Sequence, residues 1–295
     1  MRRKEIFWFW VMAGPATAGF LFLTLGPMLY SFYLSFTKYD VVNPPVFVGL
    51  GNYEYLLTRD PSFWPSVKVT LIFALFSIPL SLVLSLATAM LLNTQVRFRG
   101  ALRTIYFLPS LLPATASSII WIFIFHPAYG LLNQMLEKVG ITGPPWTQSS
   151  TWALPTIVIM SLWGFGGGMI IFLAGLQGIP RSLYEAASLD GATRWQQFRH
   201  VTLTQISPIL FFNLVMGIIG SLKVFDQAFT FGTTAVARLG APGRSTLFYV
   251  LNMYQKSFNY FHMGLGSAMA WMLFLAILIL TVINFIAARK WVHTE

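Results

Sequence analysis

Four histidines, at 126, 200, 262 and 293, are scattered along the chain and share no spacing that would converge on a metal ion. There is no cysteine, which removes thiolate ligands and disulfides together. The serines and aspartates form no recognisable nucleophile arrangement. No glycine-rich P-loop is present, nor even a Gly-Lys dipeptide, so the chain lacks a cradle for nucleotide phosphates. Charge is placed suggestively at two points. Glu185 and Asp190 stand in the longest polar interruption of the C-terminal half, Ser182 to Ile209. Lys223 and Asp226 are three apart in an apolar run, a helical spacing that allows them to pair.

The elements that must position these groups follow from composition. Of 295 residues, 56% are hydrophobic and 9% charged, against about 25% charged in a soluble domain. Mean hydropathy is +0.67. Such a chain is too apolar to hide its side chains in one core, and lipid is the expected solvent. A bilayer core of about 30 Å asks for roughly 20 apolar helical residues. Six stretches qualify: Phe7–Leu29, Val69–Leu92, Ile105–Phe125, Leu154–Leu176, Ser207–Phe229 and Gly264–Ala287. The fold class is therefore all-α, an integral membrane protein with six transmembrane helices, because only helices satisfy their own backbone in lipid apart from closed barrels. Arg2-Arg3-Lys4 and Ala16-Thr17-Ala18 mimic a signal peptide, but apolar residues continue to about Tyr30, so the first span is read as an uncleaved anchor.

The net charge of +10 would suggest nucleic acid in a soluble protein. Here its distribution matters more. Arg2, Arg3, Lys4, Arg97, Arg99, Arg103, Arg181, Arg194, Arg199, Arg289 and Lys290 fall on one side of the six spans. The longer loops opposite hold Lys38, Arg59, Lys68, Lys138, Arg238, Arg244 and Lys256. The positive-inside rule puts both termini and the Ser182 loop in the cytoplasm. "VGLGNYEYLL" (48–57) and "GLLNQMLEKVG" (130–140) are short amphipathic pieces, lying either at the lipid interface or simply packed on the surface.

Within the Ser182 loop, Pro180 stops the preceding helix. Ser182-x-x-Glu185 and Thr193-x-x-Gln196 both have the form of a capping box. Gly191 falls where a left-handed C-terminal residue is wanted. Two short helices joined by a glycine turn result. Ala186-Ala187 would let another surface approach closely, with Glu185 and Asp190 at the rim. From the residues alone, a docking knob and an amphipathic loop lying on headgroups both remain open.

Glu185-Ala186-Ala187 followed by Gly191 resembles the EAA signature of membrane subunits in binding-protein-dependent ABC importers. The family's Ile-x-Leu-Pro continuation is here Val201-Thr202-Leu203-Thr204, and Pro208 keeps the second proline. That departure bears on the exit angle of the second helix. "FVGLGNYEYLL", "IYFLPSLLPATASSIIWIFIFHPAYGLLN", "FLAGLQGIPRSLYEAASLDGA" and "SLKVFDQAFTF" resemble the carbohydrate branch, of maltose and glycerol-phosphate type. The likeness runs from about Phe7 to Arg289.

The resemblance implies a type I ABC importer permease fold and a single transmembrane permease domain over 1–295. Residues 177–206 become the cytoplasmic coupling loop, with Arg181, Glu185, Ala186, Ala187, Asp190 and Gly191 gripping a separate ATPase subunit. It also implies a second homologous permease, an ATPase dimer that uses ATP and Mg, and a periplasmic or extracellular solute-binding protein. Neither a cofactor nor a metal is expected on this chain, and no catalysis. The location would be the bacterial inner membrane and the cargo a sugar.

For the solute path, Trp163, Gly164 and Gly167 of the fourth span and Ser221, Val224 and Phe225 of the fifth are the implied lining, with Lys223 and Asp226 beside them. The run Gly166-Gly167-Gly168 reads either as a helix break beside a cavity or as close packing of helices. Lys223 and Asp226 allow three readings: an ion pair, snorkelling to the headgroups, or the ion relay of a secondary transporter or channel. The last is the alternative function.

Overall fold

The computed structural model describes residues 2–95, 97–289 and 291–292; Lys290, His293 and the side chains of Arg2 and Arg3 lie outside the described residues. In chain order the α-helices are α1 (Arg2–Gly19), α2 (Gly26–Ser35), α3 (Gly51–Thr58), α4 (Phe63–Asn93), α5 (Arg99–Phe107), α6 (Ala114–Ile124), α7 (Leu131–Lys138) and α8 (Ala153–Leu162). They continue as α9 (Gly166–Gly178), α10 (Arg181–Leu189), α11 (Arg194–Gln197), α12 (Leu203–Gln205), α13 (Ser207–Leu222), α14 (Asp226–Thr230), α15 (Tyr249–Tyr254) and α16 (Met263–Ala288).

Run length dictates the long elements. α4 has 31 residues, about 46 Å at 1.5 Å per residue, more than the hydrocarbon core. Four segments without a sharp bend are long and apolar enough to cross a membrane: Lys4–Ser35, Phe63–Asn93, Ser207–Ala235 and Met263–Ala288. Two more exist only as bent pairs. The expected third span, Ile105–Phe125, is not one rod: Arg99–Leu111 and Ala114–Ile124 meet at 101°. Leu112 has ψ 141°, the extended state forced on a residue that precedes proline, here Pro113. The fourth span is broken between α8 and α9 by 43°. The break falls on Trp163-Gly164-Phe165, just ahead of the glycine run, which instead opens α9. A Cβ on Gly166 would collide with the Tyr106 carbonyl, and one on Gly168 would lie 2.9 Å from Ser85 Oγ. Break and close packing therefore coexist within a few residues.

Two compact units form. The first comprises residues 1–63 and 253–275. In it a two-stranded antiparallel ladder pairs Thr37 with Phe47 and Lys38 with Val46. Asn52 of α3 is buried and donates to the carbonyls of Ser35 and Thr37, both at 2.8 Å. The first amphipathic piece is thus packed through a face that joins Asn52 to the fully buried Leu56. Asp60 and Lys256 are both buried and form an ion pair at 2.7 Å.

The second unit comprises 64–252 and 276–295. It holds two apolar clusters. One gathers Phe73, Ile157, Phe231, Phe248 and Leu251 around the α6, α8 and α14 contacts. The other gathers Leu92, Met169, Phe172, Leu176 and Ile206. α7 is tied down through Asn133, which accepts from Trp146 Nε1 at 2.7 Å.

Candidate functional site

The polar interruption is built as two helices on an apolar base. Leu176 and Ile206, on either side of it, are buried in the second cluster, and Ile179 and Leu203 pack against the same residues. Both stems of the loop are therefore held by the bundle, and the hairpin between them stands clear.

Pro180 itself occupies the cap position of α10, with φ −60° and ψ 132° and no side-chain cap bond. Helix thus begins at Arg181, two residues earlier than the Ser182 capping box requires. Glu185 falls in the second turn, too far to reach back, and the first expected box does not form. Proline's fixed φ suits a helix start, which explains why it displaces the serine. The other end behaves as expected. Gly191 has φ +78°. Ala192 N–H donates to the Ala187 carbonyl at 2.9 Å and Gly191 N–H to that of Ser188 at 3.1 Å. Those two bonds are the Schellman pattern. The second capping box is present: Thr193 N–H donates to Gln196 Oε1 at 2.7 Å and Gln196 N–H to Thr193 Oγ1 at 3.4 Å.

Cross-links make the pair of helices one body. Tyr184 and Thr202 hydroxyls meet at 2.9 Å. Gln197 Nε2 donates to Ser188 Oγ at 3.0 Å and to the Ala192 carbonyl at 3.2 Å. The chain leaves α11 through a π-helical turn, Phe198–Thr202, at the place of the Ile-x-Leu-Pro departure, and re-enters the bundle through α12. Arg181, Glu185, Ala186, Asp190 and Gly191 are exposed, and Ala187 is half-buried. Leu189 is 89% and Trp195 67% exposed. The exposed Leu189 escaped the sequence reading. The one visible signal was a leucine set directly beside the Asp-Gly turn.

A second feature is a cavity of about 400 Å3 in the same unit, within the usual range for small-molecule sites. Its lining includes Phe73, Ser77, Ser81, Ser161, Gln227 and, among the expected residues, Ser221, Lys223, Val224, Phe225 and Asp226. Trp163, Gly164 and Gly167 are not part of it. Trp163 instead packs edge-on against Trp121 at 5.5 Å. Ser77 and Ser81 were missed, although Ser77, Ser81 and Ser85 recur every four residues on one face of α4. Lys223 and Asp226 do not pair: α13 ends at Leu222 and α14 starts at Asp226, so no helix carries both. Both side chains are exposed at the cavity.

Residues 77–291 match the family described as binding-protein-dependent transport system inner membrane component. The chain is 40% identical to the probable ABC transporter permease protein YesP of Bacillus subtilis, over 99% of this chain and 94% of that one. It is 33% identical to the lactose transport system permease protein LacF of Rhizobium radiobacter, over 95% and 94%. It is also 33% identical to the trehalose/maltose transport system permease protein MalF of Thermococcus litoralis, over 93% and 91%. Among solved structures, a bacterial alginate ABC transporter in complex with an alginate pentasaccharide-bound periplasmic protein superposes with TM-score 0.83 at 22% identity, covering 99% of this chain and 97% of that one. By sequence over nearly its whole length, the chain belongs to the binding-protein-dependent transport system inner membrane components, the multi-pass permease subunits of ABC transporters.

Proposed function

We propose that this chain is one of two permease subunits of an ATP-driven importer that carries a sugar across the bacterial inner membrane. The observation that carries the reading is the loop of α10 and α11: two capped helices, cross-linked to each other, seated on a buried apolar base and presenting Glu185, Leu189 and Trp195 outward. A rigid projection with an acidic rim and apolar tip is suited to a groove on a separate protein. That protein is an ATPase dimer, which supplies the ATP and Mg chemistry absent from this chain. The basic residues flanking the loop support a cytoplasmic placement for it and for both termini. Six crossings, with α5–α6 and α8–α9 each counted once, agree with that placement.

ATP binding closes the ATPase pair and draws the projections of this chain and of a second, homologous permease together. The bundles rock, and a solute-binding protein on the far side releases its cargo into the opened path. The relatives named for lactose and for trehalose and maltose support a sugar. So does the cavity, where serine hydroxyls and Gln227 can take up sugar hydroxyls and Phe225 can offer an aromatic face. The ion-coupled alternative has Lys223 and Asp226 as its candidate relay; both line the cavity without pairing, and the proteoliposome test below separates the two readings. The test is reconstitution of the chain with its partner permease and ATPase subunits in proteoliposomes. Uptake of the sugar that the cognate soluble receptor binds should require ATP inside the complex. Uptake driven by an ion gradient with no ATPase subunit present would overturn the proposal.

A further inference from the structure

Arg99 and Arg103 sit four residues apart at the start of α5, so they lie on one helix face. Both reach the same atom. Gln177, in the last turn of α9, turns its side-chain oxygen to them, 2.8 Å from Arg99 Nη2 and 2.7 Å from Arg103 Nη2. Only the oxygen of that amide can accept from guanidinium groups, which fixes its orientation. The Nε atoms of both arginines are shielded from solvent and without a hydrogen-bond partner. Neither arginine is in an ion pair among the described residues. Two like charges are thus drawn to one neutral acceptor, an arrangement that favours neither charge pairing nor full hydrogen bonding. Its value lies in where it is.

Gln177 lies between Leu176, buried in the second cluster, and Pro180, the cap residue of α10. α5 runs from the clamp to the 101° bend, beyond which α6 packs on α14, and Ala114 and Asp226 both line the cavity. We infer that Arg99, Arg103 and Gln177 form a positioning clamp that transmits movement of the α10–α11 projection into α5 and so to the cavity wall. Two donors spaced along one helix hold a single acceptor against both sliding and rotation, which one hydrogen bond cannot do. The inference rests on the proposed coupling role of the projection.

Its test compares Gln177→Leu, Gln177→Glu and Arg103→Gln in the reconstituted full complex, reading solute carried per ATP hydrolysed. Gln177→Leu removes the acceptor and should lower that ratio about fivefold or more, the lower end of typical coupling energies, while ATP is still hydrolysed. Gln177→Glu, a charged acceptor of the same shape, should keep the wild-type ratio or exceed it. Arg103→Gln should fall between Gln177→Leu and wild type. Wild-type ratios in both Gln177→Leu and Arg103→Gln, or a Gln177→Glu variant as impaired as Gln177→Leu, would overturn the clamp. A second readout needs no motor: amide exchange over residues 181–191 of the chain alone in nanodiscs. It should quicken in Gln177→Leu and not in Gln177→Glu, and unchanged exchange in Gln177→Leu would overturn the clamp. Absence of ATP-driven uptake by the wild-type complex would count against the proposed function and leave this second measurement standing.

Discussion

Gly191 offers a separable perturbation. Its φ is +78°, and a Cβ added there would meet nothing within 4 Å. Substitution is therefore free of collisions with the surroundings, and its cost is the backbone's own. An L-residue in the left-handed region costs roughly 1–2 kcal/mol. If the turn relaxes to avoid that cost, the bonds from Ala192 to Ala187 and from Gly191 to Ser188 go with it, each about 0.5–1.5 kcal/mol. Either way Gly191→Ala should reduce the population of the native turn by a factor of about 5–30. Gly191→Val should reduce it further, since positive φ is a genuine outlier for a β-branched residue. Gly191→Asn should lose least, because asparagine enters that region more readily. The assay is ATP-coupled solute uptake in proteoliposomes, paired with amide exchange at Ala192 in the chain alone. The expected order in both is Gly, Asn, Ala, Val. Equal uptake for all four would refute the claim that the left-handed turn shapes the docking projection. Faster exchange with unchanged uptake would show that the turn exists but does not matter to coupling.

Glu185→Lys reverses the charge at the exposed rim of α10 and should weaken co-purification with the ATPase subunits at least tenfold in affinity, about 1.4 kcal/mol; undiminished co-purification counts against the proposed docking face. Lys256→Met leaves the 2%-exposed Asp60 carboxylate uncompensated and should destabilise the chain by about 3–5 kcal/mol, seen as a lowered Tm in detergent. Joining it with Asp60→Asn should recover most of the loss, and a double variant no better than the single would argue against a true ion pair. Gly166→Ala must push aside the Tyr106 backbone, at a cost of roughly 1–3 kcal/mol, whereas Gly167→Ala finds its nearest neighbour at 4.0 Å and should be tolerated. Equal thermal stability of the two would mean that α5 and α9 are less closely packed than they stand here.

The six apolar stretches were legible because hydrophobic run length is a one-dimensional property. Their angles were not. Pro109 and Pro113 announce an interruption, yet the 101° turn between α5 and α6 comes from the extended backbone at Leu112 together with the packing of α6 on α8 and α14. In the loop, Gly191 and Thr193-x-x-Gln196 were legible because turn and cap chemistry is local. Ser182-x-x-Glu185 misled because Pro180 competed for the same cap position and won by a preset φ. Lys223 and Asp226 misled for a related reason: spacing of three implies contact only on an unbroken helix, and α13 ends at Leu222, before both. Arg99, Arg103 and Gln177 are far apart in sequence, and only the packing of α5 on α9 brings them together.

The most direct test of the account is to delete the projection while keeping its base. A chain in which residues 181–202 are replaced by a short glycine-serine linker retains the buried Leu176 and Ile206 stems. Reconstituted with its partner permease and ATPase subunits, it should neither hold the ATPase nor carry solute on ATP. ATP-driven uptake at the wild-type rate by that chain would contradict the account.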